Sequence, residues 1–447
     1  MNNTEAATAT LTRLSRAGTG RPAAPIRIVH LGLGAFHRAH QAWYTDAVDT
    51  AHDWGIAAFT GRSATAAEEL APQDGLFTVI ERSAAGDGAA IVGSIVEASA
   101  DTERLIALIA APETAIITTT VTEAGYRLLA DGAPNVDDPA VLADLDPAVS
   151  PTTSLGRILR GLAARRAAGA GPIAIVPCDN MPDNGPFVGR GLRLLAERAD
   201  PQLAAWIGEN VSFVSTSVDR ITPKTTAADL ETAAELTGFA DAAAVVTEPF
   251  RDWVLSGDFP AGRPAWEEAG ARFVDDIEPF ERRKLWLLNG SHSLLAYAAR
   301  LRGHKTVAAA VADPVCRGWV NAFWDEAVRH LPAGLDLEAY RAALLERYDN
   351  ARIEHRLEQI GAEGVTKLRV RIVPTLLAER AAGRSGAASI RALSAWIALH
   401  LDGAALPDAH ADALAAAVAA PDPVPALLAL VSPDLAADPA LVAAVRP

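Results

Sequence analysis

The hydrophobic pattern divides the chain into a strand-rich first part and a helical second part. Ile26–Gly32 and Gly55–Phe59 are short apolar runs of the kind that fill a buried sheet. Phe77–Glu81 and Ala90–Ile95 alternate like strands around a Gly86-Asp87-Gly88 turn, and Thr102–Ala110 has the period of an amphipathic helix. Thr114–Thr119, Ile173–Val176 and Val211–Val218 predict further strands, with helix Ser154–Ala168 between the first two. Strands alternating with helices to about residue 220 predict an α/β fold with a mostly parallel, doubly wound sheet. Beyond Pro279 helical periods dominate: the stretch around Lys284, then Val311–His330, Leu337–Tyr348, Ile353–Ile360, Val365–Arg380 and Ile390–Leu401. From Leu406 an Ala/Pro-rich tail reads as short, peripheral helices. The expected organisation is an N-terminal extension (1–23), a sheet domain (24–278) and a mostly helical domain (279–447).

Chemistry enters at the strand ends. The first strand runs through Gly32-Leu33-Gly34 into a helical stretch that begins Ala35-Phe36-His37. Strand, Gly-x-Gly turn and helix form the Rossmann-like context in which backbone N–H groups hold a pyrophosphate. The third glycine of the usual fingerprint is replaced by His37, and His37 and His40 have no further ligand nearby to make a zinc site. The second strand leads into Thr60-Gly61-Arg62-Ser63, with no carboxylate for a ribose 2′-hydroxyl. Arg62 either faces a 2′-phosphate or is a loop arginine, so NAD is expected and NADP is not excluded. Ligands of doubly wound sheets sit at the carboxyl ends of strands. That places Thr120, Thr122 and Glu123, then Cys178-Asp179-Asn180, then Asp219-Arg220-Ile221-Thr222-Pro223, where a site is expected.

Composition narrows the class. A net charge of −15 argues against nucleic acid and anionic membrane partners, which reward basic surfaces. Two cysteines make no disulfide framework, the first residues carry no apolar leader core, and no run suits a membrane span. A cytoplasmic monomer or weak homodimer is expected. Only four of the 40 basic residues are lysines: Lys224, Lys284, Lys305 and Lys367. Arginine keeps its proton in proteins, whereas a buried lysine gives it up. Lys284 lies in Glu281-Arg282-Arg283-Lys284-Leu285-Trp286-Leu287-Leu288-Asn289-Gly290-Ser291-His292-Ser293, among Leu and Trp, and is therefore a candidate proton acceptor. In an ideal α-helix Glu281 and His292 share its side, with Asn289 further round. A satisfied polar cluster in a core helix fits the same spacing.

Other designs drop out. No tyrosine has a lysine four residues later, and there is no Gly-x-Ser-x-Gly elbow, Gly-Lys-Ser/Thr loop or credible zinc set. A metal-free, lysine-based alcohol oxidation remains. Four stretches resemble the polyol-specific long-chain dehydrogenase/reductase family, which includes mannitol 2-dehydrogenase and fructuronate reductase. They are Leu31–His40, Thr120-x-Thr122-Glu123-x-Gly125-Tyr126, Cys178–Asn180 with Asn184-Gly185 and Asp219–Pro223, and Lys284-x4-Asn289-x2-His292.

The resemblance implies an NAD(P)-dependent enzyme that interconverts a linear polyol and its keto-sugar. Lys284 would be the general base, Asn180 and Asn289 the donors to the developing alkoxide, and His292 the group that positions substrate oxygen. Glu281 would gate proton exchange, with Asp219, Lys367, Gln359 and Arg356 on the substrate side. Gly32, Gly34, Ala35, Phe36, Arg62, Thr120, Thr122 and Glu123 would line the cofactor site, in the cleft between the domains. Two departures bear on the substrate. Gln359 stands where mannitol 2-dehydrogenases have arginine, and Glu363-Gly364-Val365-Thr366-Lys367 replaces the Asp-Gly-Ser-Gln-Lys usual in fructuronate reductases. D-mannitol/D-fructose is the first expectation and D-mannonate/D-fructuronate the second. A non-catalytic dinucleotide sensor and a phosphorylated-polyol dehydrogenase are the other readings.

Overall fold

The computed structural model describes residues 11–61 and 63–447. The chain divides into two compact units, one ending at Ile277 and the other beginning at Glu278.

The first unit is built on a six-stranded sheet of β1 (Ile26–Leu31), β2 (Gly55–Phe59), β3 (Ile95–Ser99), β4 (Ile116–Thr119), β5 (Ile173–Pro177) and β6 (Val211–Phe213). Their spatial order is β3-β2-β1-β4-β5-β6, and every pairing is parallel. This is the doubly wound order in which the chain reverses direction beside β1, opening a crevice at the strands' carboxyl ends. β2 and β5 are buried along their whole lengths, as strands covered by helices on both faces must be. Helices Thr102–Ala110 and Ser154–Ala168 pack against each other, and the first is capped by Asp101, whose carboxylate accepts from Glu103 N and Arg104 N.

Two apolar runs divide between sheets. Val211–Val218, expected as one strand, breaks at Val214. Ser215–Asp219 then pairs antiparallel with Asp252–Ser256 in a separate three-stranded sheet. Ala90–Ile95 likewise crosses from Gly86–Val92, paired antiparallel with Phe77–Ser83, into β3. Gly93 lies at that crossing, where a Cβ would come within 3.1 Å of Arg21 and Leu76. Alternation reports burial, and both sides of such a switch are buried.

The second unit is helical. Its central helix starts at Glu278 and continues through two π-helical stretches, Lys284–Gly290 and Leu295–Ala299. The expected helix Val365–Arg380 is two, Gly364–Arg371 and Val373–Ala381, because Pro374 has no N–H to continue the ladder. Ile353–Ile360 is helical only from Leu357. The tail is not peripheral. Helix Pro423–Val431 buries Val424, Leu427, Leu428 and Val431, and Arg369 Nε donates to Leu430 O at 3.0 Å. Among the described residues no helix is long and apolar enough to cross a membrane.

Candidate active site

In the first unit the Gly32 turn is held from both sides. Gly32 N and Leu33 N donate to Phe59 O at 2.9 and 3.0 Å, fixing the turn to the end of β2. Gly32 has φ +105°, and a Cβ there would stand 2.7 Å from Thr120 O and 2.9 Å from Thr120 Oγ1. Only glycine fits. At Gly34 a Cβ would meet nothing nearer than Gly32 O at 3.5 Å, so the mouth of the turn is open. The helical stretch from Ala35 to Val48 starts there, with Ala35 and Phe36 half-buried. An open glycine turn under a helix N-terminus fits a dinucleotide pyrophosphate.

His37 takes the place of the third glycine by stacking. Its ring lies 3.3 Å from that of His30 on β1, with the planes 7° apart, and both rings are fully buried. Burial pushes His30 down to about 3 and His37 well below the usual imidazole range, so both are neutral. Thr120 Oγ1 donates to Gly32 O at 2.7 Å and lies 3.2 Å from His30 Nε2, while His30 Nδ1 lies 2.8 Å from Thr118 Oγ1. A hydroxyl has one proton, so His30 Nε2 is the donor to Thr120 and Nδ1 accepts from Thr118. The chain of bonds orients the Gly32 carbonyl. Thr122 and Glu123 are exposed on the loop after β4, and Arg62 lies outside the described residues.

The Asn180 loop at the end of β5 is clamped by a buried carboxylate. Asp179 accepts from Tyr126 OH at 2.8 Å, Met181 N at 2.9 Å and Asn184 Nδ2 at 3.2 Å. Tyr126 OH also meets Thr119 Oγ1 at 2.8 Å, which ties this loop to the end of β4. Asn184 reaches across to Thr216, accepting its N–H at 2.8 Å. Asn180 itself is exposed. Asp219 is buried, and next to it Arg220 donates to Glu248 O at 3.1 Å and Ala39 O at 2.5 Å and pairs with Glu81. Asp179, Asn184 and His30 carry no role that the sequence alone assigns. Polar side chains inside apolar strand ends were the available signal.

In the second unit Lys284 opens the π-helical stretch and Asn289 lies five residues on, both half-buried. An i→i+5 ladder brings residues five apart into line. Asn289 therefore stands one turn from Lys284, and not further round as α-geometry requires. Side chains satisfy the carbonyls where the widened turn ends. Ser291 Oγ donates to Leu287 O at 2.6 Å, and Trp324 Nε1 donates to the same oxygen at 2.8 Å. Tyr348 OH donates to Leu288 O at 3.3 Å. A Cβ on Gly290 would meet Phe323 at 2.6 Å, so helix Pro314–Val328 requires glycine there.

His292 is buried, and its Nε2 has no hydrogen-bond partner among the described residues. Its ring packs edge-on to His355 at 4.8 Å and lies 5.0 Å from Tyr348. Burial first, then His355, Arg347 and Arg371, hold it well below the usual imidazole range. It is neutral at pH 7. Of the arginines before Lys284, Arg282 pairs with Glu278. Arg283 is buried and donates to Leu335 O at 3.0 Å. Glu281 is half-buried.

Lys367 and Arg371 share a face of helix Gly364–Arg371. Lys367 Nζ donates to Ile360 O at 2.9 Å, and Arg371 Nη1 to Ser293 Oγ at 3.3 Å. Burial, then Arg371, lowers Lys367 to about 8, and burial lowers Arg371 to about 10. Neither makes an ion pair with a carboxylate among the described residues. Gln359 is exposed, as is Arg356, which pairs with Glu354 at 2.9 Å.

Among the described residues one grouping has metal-ligand chemistry: His304, Asp313 and Cys316. Asp313 Oδ2 already takes Arg302 Nε at 2.8 Å and His304 Nε2 at 3.1 Å, and Oδ1 caps Val315 N at 2.8 Å. Burial pushes the Cys316 thiol up to about 11, so it offers no thiolate at neutral pH. This is a helix cap with an ion pair.

Residues 26–268 match the model of the mannitol dehydrogenase Rossmann domain, and residues 276–446 that of the mannitol dehydrogenase C-terminal domain. D-mannonate oxidoreductase of Escherichia coli is 41% identical over 78% of this chain and 74% of its own length. Mannitol 2-dehydrogenase of Cereibacter sphaeroides is 38% identical over 83% and 80%. Among solved structures, Pseudomonas fluorescens mannitol 2-dehydrogenase in ternary complex with NAD and D-mannitol superposes with a TM-score of 0.81 at 34% identity, covering 98% of this chain and 93% of that one. Both domains of that family are thus present in order, and the chain belongs to the mannitol dehydrogenase family.

Proposed function

We propose that the protein is an NAD-dependent dehydrogenase that interconverts a secondary alcohol of a linear polyol or sugar acid and the corresponding ketone. The observation that carries this is the set on the central helix of the second unit. An amine and an amide stand one π-turn apart, followed by a neutral, buried imidazole whose Nε2 has no partner among the described residues. Such a set suits a substrate oxygen.

Bound NAD supplies the acceptor for the hydride that leaves the carbinol carbon. Lys284 takes the hydroxyl proton. A free amine near pKa 10.4 must be lowered to act as a base around neutral pH. Asn289 donates to the oxygen as charge develops on it, the role that the family resemblance also gives to Asn180; loss of such a donor typically costs 10²–10³ in rate. His292 Nε2 orients the same or the adjacent hydroxyl. Glu281, one turn before Lys284, passes the proton to solvent. Asp219 acts on the substrate side, and Thr120, Thr122 and Glu123 on the nicotinamide side.

For the substrate, Lys367 and Arg371 favour an anionic end. Two neighbouring cations, neither in an ion pair with a carboxylate among the described residues although Glu363 and Asp408 act on Lys367 through space, suit the carboxylate of a uronate. The D-mannonate/D-fructuronate pair is therefore placed first, and D-mannitol/D-fructose, the sequence expectation, second. NADH oxidation with fructose and with fructuronate separates them. The reading expects kcat/KM at least tenfold higher for fructuronate, and loss of that preference in Lys367→Ala. Turnover of fructose alone reverses the order, and turnover of neither revives the non-catalytic sensor.

A further inference from the structure

We infer that the adenosine end of the cofactor site admits a 2′-phosphate, so that the protein takes NADP as well as NAD. The inference rests on the dinucleotide reading above. In doubly wound sheets selective for NAD, a carboxylate after the second strand accepts the ribose 2′-hydroxyl and repels a 2′-phosphate. The corresponding place is located here by hydrogen bonds. Gly32 N and Leu33 N both donate to Phe59 O, so the chain leaving β2 at Thr60 starts beside the phosphate turn.

Between Thr60 and Thr65 no carboxylate is offered among the described residues; Glu68 and Glu69 come later, on helix Thr65–Leu70. Thr60 is buried, and its hydroxyl has no hydrogen-bond partner among the described residues. Gly61 is exposed, and a Cβ on it would meet nothing within 4 Å. Ser63 Oγ lies 2.7 Å from Thr65 Oγ1. On the neighbouring strand end, Ser99 O accepts Thr60 N at 3.0 Å, and the next carboxylate, Asp101, is engaged in capping its own helix. Glu97 pairs with Arg104 at 2.8 Å.

What is offered is a cation. Arg157, in the first turn of helix Ser154–Ala168, donates through Nη1 to Thr60 O at 3.1 Å and through Nε to Pro151 O at 3.4 Å. It is half-buried and makes no ion pair among the described residues. The acidic neighbour Asp144 uses both oxygens on the N–H groups of Thr152 and Thr153, at 2.7 and 2.9 Å. A guanidinium with only carbonyl partners, at the strand end where a ribose is held, is a ready phosphate ligand.

Calorimetric titration with 5′-AMP and with 2′,5′-ADP tests this without substrate or turnover, and therefore separately from the proposed reaction. The expected result is 2′,5′-ADP binding about fivefold or more tighter than AMP. That ratio should collapse to one or below in Arg157→Gln, and also in Gly61→Asp, where the new carboxylate enters open space. Thermal unfolding checks that both variants fold. The kcat/KM for NADP should then lie within about tenfold of that for NAD. AMP binding tighter than 2′,5′-ADP in the unmodified protein overturns the inference, as does a ratio unchanged in both variants. Binding of neither nucleotide overturns it together with the dinucleotide reading.

Discussion

Replacement of His292 by leucine should make the protein more stable and less active. The imidazole is buried, and its Nε2 has no hydrogen-bond partner among the described residues. A buried polar group left without a hydrogen bond costs about 1–3 kcal/mol. Leucine is of similar size and removes that penalty. Part of the gain is lost to imperfect packing against His355 and Tyr348, so a net stabilisation of about 1 kcal/mol is expected. For a unit of this size that is about 2–4 °C in Tm. The sign also depends on pH. Because the folded-state pKa lies well below 6.5, the unfolded chain takes up a proton below about pH 6.5 that the folded protein does not. The unmodified protein loses this stability as pH falls, and the variant does not, so its advantage widens from pH 7 to pH 5. Loss of the substrate hydrogen bond should lower kcat/KM by about 5- to 150-fold, the equivalent of 1–3 kcal/mol. Thermal unfolding at several pH values and initial rates of ketose reduction measure both quantities. A variant that is less stable at all pH values and fully active would show that His292 is a structural residue and that the open Nε2 has no role in substrate binding.

Other consequences follow from the same geometry. Asp179→Asn places an amide among the donors of Tyr126, Met181 and Asn184 and loosens the loop that presents Asn180. A fall in kcat of about 10–100-fold is expected with KM for NAD changed less than threefold, and unchanged kinetics would reduce Asp179 to a stability residue. In the second unit Glu379 is held at about 2, chiefly by Arg384 and then by His330 and Arg329. Its contribution is complete above the unfolded carboxyl value near 4.5 and is lost as pH falls from 4.5 to 2. In Glu379→Gln the slope of stability against pH over that window should flatten in acid-unfolding curves, and an unaltered slope would show that the cluster is uncoupled from folding.

What was legible in the sequence follows from what side-chain patterning encodes. Gly55–Phe59, Thr102–Ala110 and Ser154–Ala168 were readable to the residue because each is bounded by a cap or a turn and has one period. The single long strand at Val211–Val218 was not readable as two, since residues on either side of Val214 are buried in different sheets. The lysine helix shows the same limit at the site. Leu and Trp spacing gave its burial, but the π-stretch depends on Ser291, Trp324 and Tyr348 satisfying the carbonyls of Leu287 and Leu288. Trp324 and Tyr348 come from other helices, so no local pattern announces the widened turn that aligns Lys284 with Asn289. The His30–His37 stack was hidden for a related reason. A missing glycine reads as a weak motif until the ring that replaces it is seen lying flat on β1.

The most direct test of Lys284 as the base is the pH profile of polyol or sugar-acid oxidation by Lys284→Ala, with and without added methylamine. Loss of about 10³-fold or more in kcat is expected, together with loss of the limb that rises with pH, retained binding of NAD, and partial recovery that grows with the concentration of free amine. Activity and a pH profile like those of the unmodified protein would contradict the account, because the proton would then be leaving through another group.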